Sequence, residues 1–166
     1  MNKLEKETKN KILRFIPFIL MLIVIYVFSA MPGDESGDTS GRLVKVVVKV
    51  VESIKGKGLT EDAIDDIHWI IRKMAHFCEF AALSWTAMFA LTKLVKARWQ
   101  LCLFSELTVI LVATLDELHQ YFVPGRSASI GDVCIDSSGG LLGVVVYVIL
   151  FLRERKKIKS ADFQHI

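Results

Sequence analysis

The chain's 166 residues are 52% apolar and 23% charged, with a formal net charge of +3. A single domain with that balance is too apolar for a water-soluble fold, so its outer surface must face lipid. The small basic excess sits in blocks beside apolar stretches and forms no stripe interleaved with exposed aromatics, which excludes nucleic acid as a partner.

A bilayer core of about 30 Å takes roughly 20 helical residues, and four apolar runs have that order of length. The first, residues 12–30, is apolar apart from Arg14 and follows a start rich in Lys3, Lys6, Lys9 and Lys11. A secretory leader begins the same way, but further spans follow, so the segment is expected to stay as an anchor. The long connection after it is punctuated by Gly33, Gly37, Gly41, Gly56 and Gly58, and mixes cations with Asp34, Glu35, Asp38, Glu61, Asp62, Asp65 and Asp66. Within it, Arg42, Lys45, Lys49 and Glu52 recur at three- and four-residue steps amid valine, leucine and isoleucine. Two readings stay open: an amphipathic helix lying on the outer leaflet, or a valine-rich strand or helix packed on the other spans.

The second run, residues 74–94, carries its charge at one end. At 100° per residue Arg72, His76 and Glu79 share one stripe, Lys73 lies beside it, and Ala81, Ala82 and Leu83 then turn the helix apolar. Lys93, Lys96 and Arg98 separate it from the third run, residues 101–123, which holds Glu106 early and Asp116, Glu117, His119 and Gln120 late. Pro124 and Gly125 stop that helix and reverse the chain, leaving Arg126 as the one cation of the tight loop, placed to fold back over the carboxylates. The fourth run, residues 129–152, opens with Asp132 and Asp136 and continues on the same face with Gly139 and Gly143, whose spacing lets a neighbouring helix approach closely. Arg153, Arg155, Lys156, Lys157 and Lys159 follow.

These elements make one domain over residues 1–166, an all-α transmembrane bundle of about four spans with an extracytoplasmic amphipathic segment between spans one and two. The basic flanks place both termini and the loop of Lys93, Lys96 and Arg98 in the cytoplasm, with a multi-pass chain in the cell membrane. Cys78, Cys102 and Cys134 lie in apolar stretches without the paired spacing of a disulfide scaffold or zinc ribbon.

An ionisable group inside a span costs a few kcal/mol on insertion scales, so it normally faces the bundle interior beside a partner. His76, Glu79, Asp116, Glu117, Gln120, Asp132 and Asp136 therefore form a candidate polar cluster near the outer surface, with Arg72, Lys73 and Arg126 as candidate ligand-binding cations. The competing reading makes the same groups helix-to-helix glue. His119 is expected to turn toward the interface, and Glu106, nearer the inner end, is structural or a second unassigned polar position.

Three ordered stretches carry a family resemblance. Residues 72–80 read R-K-M-A-H-F-C-E-F, residues 116–126 read D-E-L-H-Q-Y-F-V-P-G-R, and Asp132 and Asp136 precede Gly139, Gly140 and Gly143. This pattern resembles the VanZ-like family of bacterial envelope proteins, and residues 28–32, F-S-A-M-P, are similar to the serine and proline that end the family's first span. The resemblance implies an envelope membrane protein, and for the namesake an association with raised tolerance to the glycopeptide teicoplanin. It names no reaction and no cofactor.

Three functions compete on this basis. In the first, the chain binds or modifies an outer-leaflet amphiphilic or anionic component, such as a lipid-linked cell-wall intermediate or a glycopeptide antibiotic, with Arg72, Lys73 and Arg126 holding phosphate or carboxylate. The second is a membrane-embedded acid/base or metal-dependent enzyme; yet no metal is assigned, because His76-x-x-Glu79 is a weak ligand signal and no second histidine stands at ligand spacing. In the third the chain is a structural subunit, homo-oligomeric through the glycine face of span four. No Gly-x-Ser-x-Gly, Ser-x-x-Lys or phosphate loop accompanies Ser127, Ser129, Ser137 and Ser138.

Overall fold

A computed structural model of the protein describes residues 3–163, with side chains described over 5–32 and 41–150. It is all helical: α1 (Lys3–Leu13), α2 (Ile16–Ser29), α3 (Gly33–Lys55), α4 (Glu61–Leu91), α5 (Arg98–Gln120) and α6 (Ile130–Phe163), with no strand among the described residues. The side chains of the basic block at 153–159 and of Asp34, Glu35 and Asp38 lie outside the described residues.

The helix breaks at Arg14 and Phe15 and restarts with Pro17 in the first turn of α2, where a missing N–H costs nothing. Arg14 anchors that break: its Nη1 donates to Thr92 Oγ1 at 2.7 Å and to the Phe89 carbonyl at 3.0 Å, and its guanidinium lies over the Phe89 ring. The start of α2 thus meets the end of α4. At the opposite end Ser29 Oγ meets His119 Nδ1 at 3.0 Å, so the end of α2 meets the end of α5.

Three segments are long and apolar enough to cross a membrane, Glu5–Ser29, Glu61–Leu91 and Ile130–Leu150. The 23 residues of α5 span roughly 35 Å at 1.5 Å each, and the helix packs against α4 and α6. About four spans follow. The 31 residues of α4 exceed what a bilayer core takes, so the helix begins well before residue 74. Its early turns expose Glu61, Asp62, Asp65 and Asp66, acids that suit the positive end of a helix dipole, and Thr60 caps them by accepting from the Ala63 N–H.

The valine-rich stretch at 42–54 is helical, within α3, and packs on α4 with Val44 buried. Leu43, Val46, Val50 and Ile54 stay exposed on another side. The reading of a helix packed on another span is therefore met, while the strand alternative is excluded because the backbone is helical throughout.

The core lies between helices. Ile25 of α2, Phe80 and Leu83 of α4, and Val109 and Ala113 of α5 form one buried cluster, and Met88, Leu101 and Val144 a second. Outward, Ile23, Leu107, Leu111, Leu118 and Leu142 are exposed, an apolar surface far larger than a soluble protein tolerates and suited to acyl chains.

Glycine decides how closely α6 lies on α4. A Cβ at Gly139 would overlap the Phe77 carbonyl, one at Gly143 the Ala81 carbonyl, and one at Gly140 the Val109 side chain. The glycine face is thus filled within the chain, by α4. A buried Ser84–Ser105 pair, Oγ to Oγ at 3.1 Å with Ser105 also donating to the Ser84 carbonyl, ties α4 to α5 at mid-depth.

Candidate functional site

The close approach at Gly139 aligns the polar first turns of α6 with the same depth of α4. Lys73 and Asp132 pair there, and one turn inward His76 faces Asp136 at 3.8 Å. From α5, Asp116 arrives at this level, because α5 runs antiparallel to both and its last turns lie beside the start of α6 and residues 73–76 of α4. His76, Asp116 and Asp136 each present one nitrogen or oxygen such that all three atoms lie within 4.8 Å of one another. Each comes from a different helix.

Beside this cluster lies a cavity of about 500 Å³ lined by Trp69, Arg72, Lys73, His76, Glu117, Gln120, Arg126, Asp132 and Asp136, among others. Seven of these nine are ionisable, at the end of the bundle opposite the contact of Arg14 with Thr92. Asp116 and Glu117 are buried, as are Gln120 and Asp136. Hydrogen bonds fix three of the four: Gln120 Nε2 donates to Asp116 Oδ2 at 2.6 Å, and the Ser129 N–H donates to Glu117 Oε2 at 2.7 Å. The second contact also ties α5 to the residues that lead into α6. Asp136 differs, since its Oδ2 is buried without a hydrogen-bond partner among the described residues.

Gly125 turns the α5–α6 loop with φ +74°, a conformation open to glycine at no steric cost. Arg126 follows and reaches the cavity, but its hydrogen bonds run elsewhere: Nε donates to the Met31 carbonyl at 3.2 Å and Nη2 to the Phe28 carbonyl at 3.0 Å. Folding over the carboxylates is thus only part of its role, since it also ties the α5–α6 loop to carbonyls at and beyond the C-terminal end of α2. Burial, and next the nearby Arg72 guanidinium, pull Arg126 below its ordinary range, while Asp116, Glu117 and Glu79 oppose this; an arginine so placed stays charged. Arg72 makes no hydrogen bond or ion pair among the described residues and lines the cavity.

The remaining positions separate. Glu79 acts on Arg126 through its charge but does not line the cavity. His119 packs its ring on Tyr26 with centroids 5.1 Å apart and so joins α2 to α5. Glu106 has a buried Oε2 without a hydrogen-bond partner among the described residues; it sits ten residues before Asp116, roughly 15 Å along α5. Trp69 is a lining residue that sequence reasoning missed. It stands one turn before Arg72 and Lys73, and Lys73 Nζ lies 5.7 Å from its ring centroid.

Comparison with curated proteins and with solved structures gives no match. The sequence profile of the family described as VanZ/LLP1 matches residues 14–151, from the arginine that anchors the start of α2 into α6. All the convergent polar positions fall inside that match, in the order of the three stretches noted above, and the chain belongs to the VanZ-like family of membrane proteins.

Proposed function

We propose that the outer cavity binds the anionic head of an amphiphilic envelope component, with the tail lying along the apolar flank of the bundle. The observation that carries this is the pair Arg72 and Arg126: two guanidiniums line one cavity, close enough for Arg72 to depress Arg126. An anion between them relieves that repulsion, and guanidiniums hold phosphate or carboxylate through paired, charge-assisted hydrogen bonds. Lys73, already paired with Asp132, sets the rim. Trp69 is exposed beside them, as an aromatic at the headgroup level is.

The topology supports an outer-leaflet location in the cell membrane. Arg14 meets Thr92 at the end shared with Lys93, Lys96 and Arg98, and the acid-rich cavity is at the other end. By the excess of cations in cytoplasmic segments the first end is inside, both termini with it. A lipid-linked cell-wall intermediate and an acylated glycopeptide such as teicoplanin both have the required chemistry, an anionic group on an amphiphile.

The test uses full-length protein in detergent and native mass spectrometry with farnesyl phosphate, and farnesol as its uncharged twin. The phosphate is expected to bind at least tenfold better than the alcohol, and Arg72→Ala to lose that difference while remaining folded. Equal binding of the two, or a phosphate preference that survives Arg72→Ala, contradicts the reading. A second reading, acid/base chemistry at His76, is favoured by the unpartnered Asp136 oxygen beside it.

A further inference from the structure

We infer that His76, Asp116 and Asp136 hold a single divalent transition-metal ion at the inner wall of the outer cavity. The argument starts from Asp136, which is 1% exposed and has one carboxylate oxygen with no hydrogen-bond partner among the described residues. A buried charge left so costs several kcal/mol unless something compensates it. Two of the cavity's cations are directed elsewhere, Lys73 to Asp132 and Arg126 to the carbonyls of Phe28 and Met31. His76 is the nearest basic group, yet its Nδ1 stands 3.8 Å from Asp136 Oδ2, too far for a hydrogen bond.

That separation suits two ligands of one ion. Bonds of about 2.1 Å meeting at a wide angle span it, and the third atom, from Asp116, closes a triangle with all sides within 4.8 Å. The surroundings are those of a ligand set. Gln120 Nε2 holds one Asp116 oxygen at 2.6 Å, the outer-shell contact that orients a ligating carboxylate. Two buried carboxylates with a neutral imidazole bring a charge of −2, which a divalent ion neutralises. One nitrogen and two oxygens suit Zn²⁺ or Mn²⁺ better than a soft ion, and three protein ligands leave positions open toward the cavity that His76 and Asp136 line. If the cavity takes an anionic head as proposed above, one of its oxygens fills that position, and the ion and Arg72 grip the same group.

The experiment uses full-length protein purified in detergent without chelator and the metal alone, with no phosphate amphiphile present. Elemental analysis is expected to find about one Zn²⁺ or Mn²⁺ per chain. In a Mn²⁺ titration followed by electron paramagnetic resonance, Asp136→Asn and His76→Gln should each weaken binding at least tenfold. Glu106→Gln, at the acid whose Oε2 is likewise buried without a hydrogen-bond partner among the described residues, should change it less than threefold. Chelation should lower the melting temperature of the native chain and not that of Asp136→Asn. Should one of the two ligand variants fail to fold, the other decides. Native protein that binds no more Mn²⁺ or Zn²⁺ than a folded ligand variant overturns the site, as does a Glu106→Gln loss equal to theirs. Because only metal is titrated, failure here leaves the anion reading to its own test with farnesyl phosphate.

Discussion

Replacing Gly139 by alanine isolates the contact on which the alignment of α4 and α6 rests. The added Cβ would overlap the Phe77 carbonyl oxygen and lie 3.1 Å from Phe77 Cα. Both are backbone atoms of a helix, so relief requires the two helices to part. Overpacking of this kind costs about 1–3 kcal/mol, and a rigid backbone neighbour puts it at the upper end. Alanine regains up to about 1 kcal/mol of helix propensity over glycine, which leaves a net loss of about 2 kcal/mol. Gly41→Ala supplies the control, since nothing lies within 4 Å of its added Cβ; there only the propensity gain acts, and the chain should be stabilised by about 0.5–1 kcal/mol. Denaturant unfolding of both variants in one detergent measures the difference. Equal stability of Gly139→Ala and Gly41→Ala would refute the close-packing argument.

Four other outcomes follow from the same contacts. Arg126→Ala loses two charged hydrogen bonds to the carbonyls of Phe28 and Met31, and unfolding should show a loss of about 1.5–3 kcal/mol, whereas Arg72→Ala leaves stability within about 0.5 kcal/mol. Ser105→Ala removes the Ser84 contacts, and since interhelical hydrogen bonds in membranes average about 0.6 kcal/mol, the same assay should find a small loss, under about 2 kcal/mol. A double-mutant cycle on Lys73→Ala and Asp132→Ala should return a coupling of about 0.5–3 kcal/mol, because the two side chains pair directly. In a chain lacking Cys78, Cys102 and Cys134, Ser127→Cys should react with a membrane-impermeant maleimide added to intact cells and Lys96→Cys should not; the reverse pattern contradicts the proposed orientation.

The helices that meet lipid were legible as apolar runs, and the depth of the polar cluster was legible from charges confined to one end of each. Gly139 and Gly143 announced a close approach, and α4 is the helix that makes it. The first turns of α4 were missed because hydropathy registers only the part in the bilayer, although Thr60 followed by Glu61 and Asp62 is a helix-start signal. The state of residues 42–54 could not be read because valine favours strands while the charge spacing favours a helix; packing of Val44 on the bundle decides it. The hydrogen bonds of Arg126 were equally hidden, since they join residues 95 and 98 apart in sequence and depend on where the end of α2 lies.

The convergence of α4, α5 and α6 at one depth underlies both the anion reading and the metal site, and a cross-link tests it most directly. In the chain without native cysteines, His76→Cys combined with Asp136→Cys should be bridged rapidly by a short bifunctional thiol reagent in native membranes, since the native side-chain ends approach to 3.8 Å, while His76→Cys with Glu106→Cys should stay unlinked. Failure of the first pair to cross-link, or equal linking of both pairs, would contradict a shared centre.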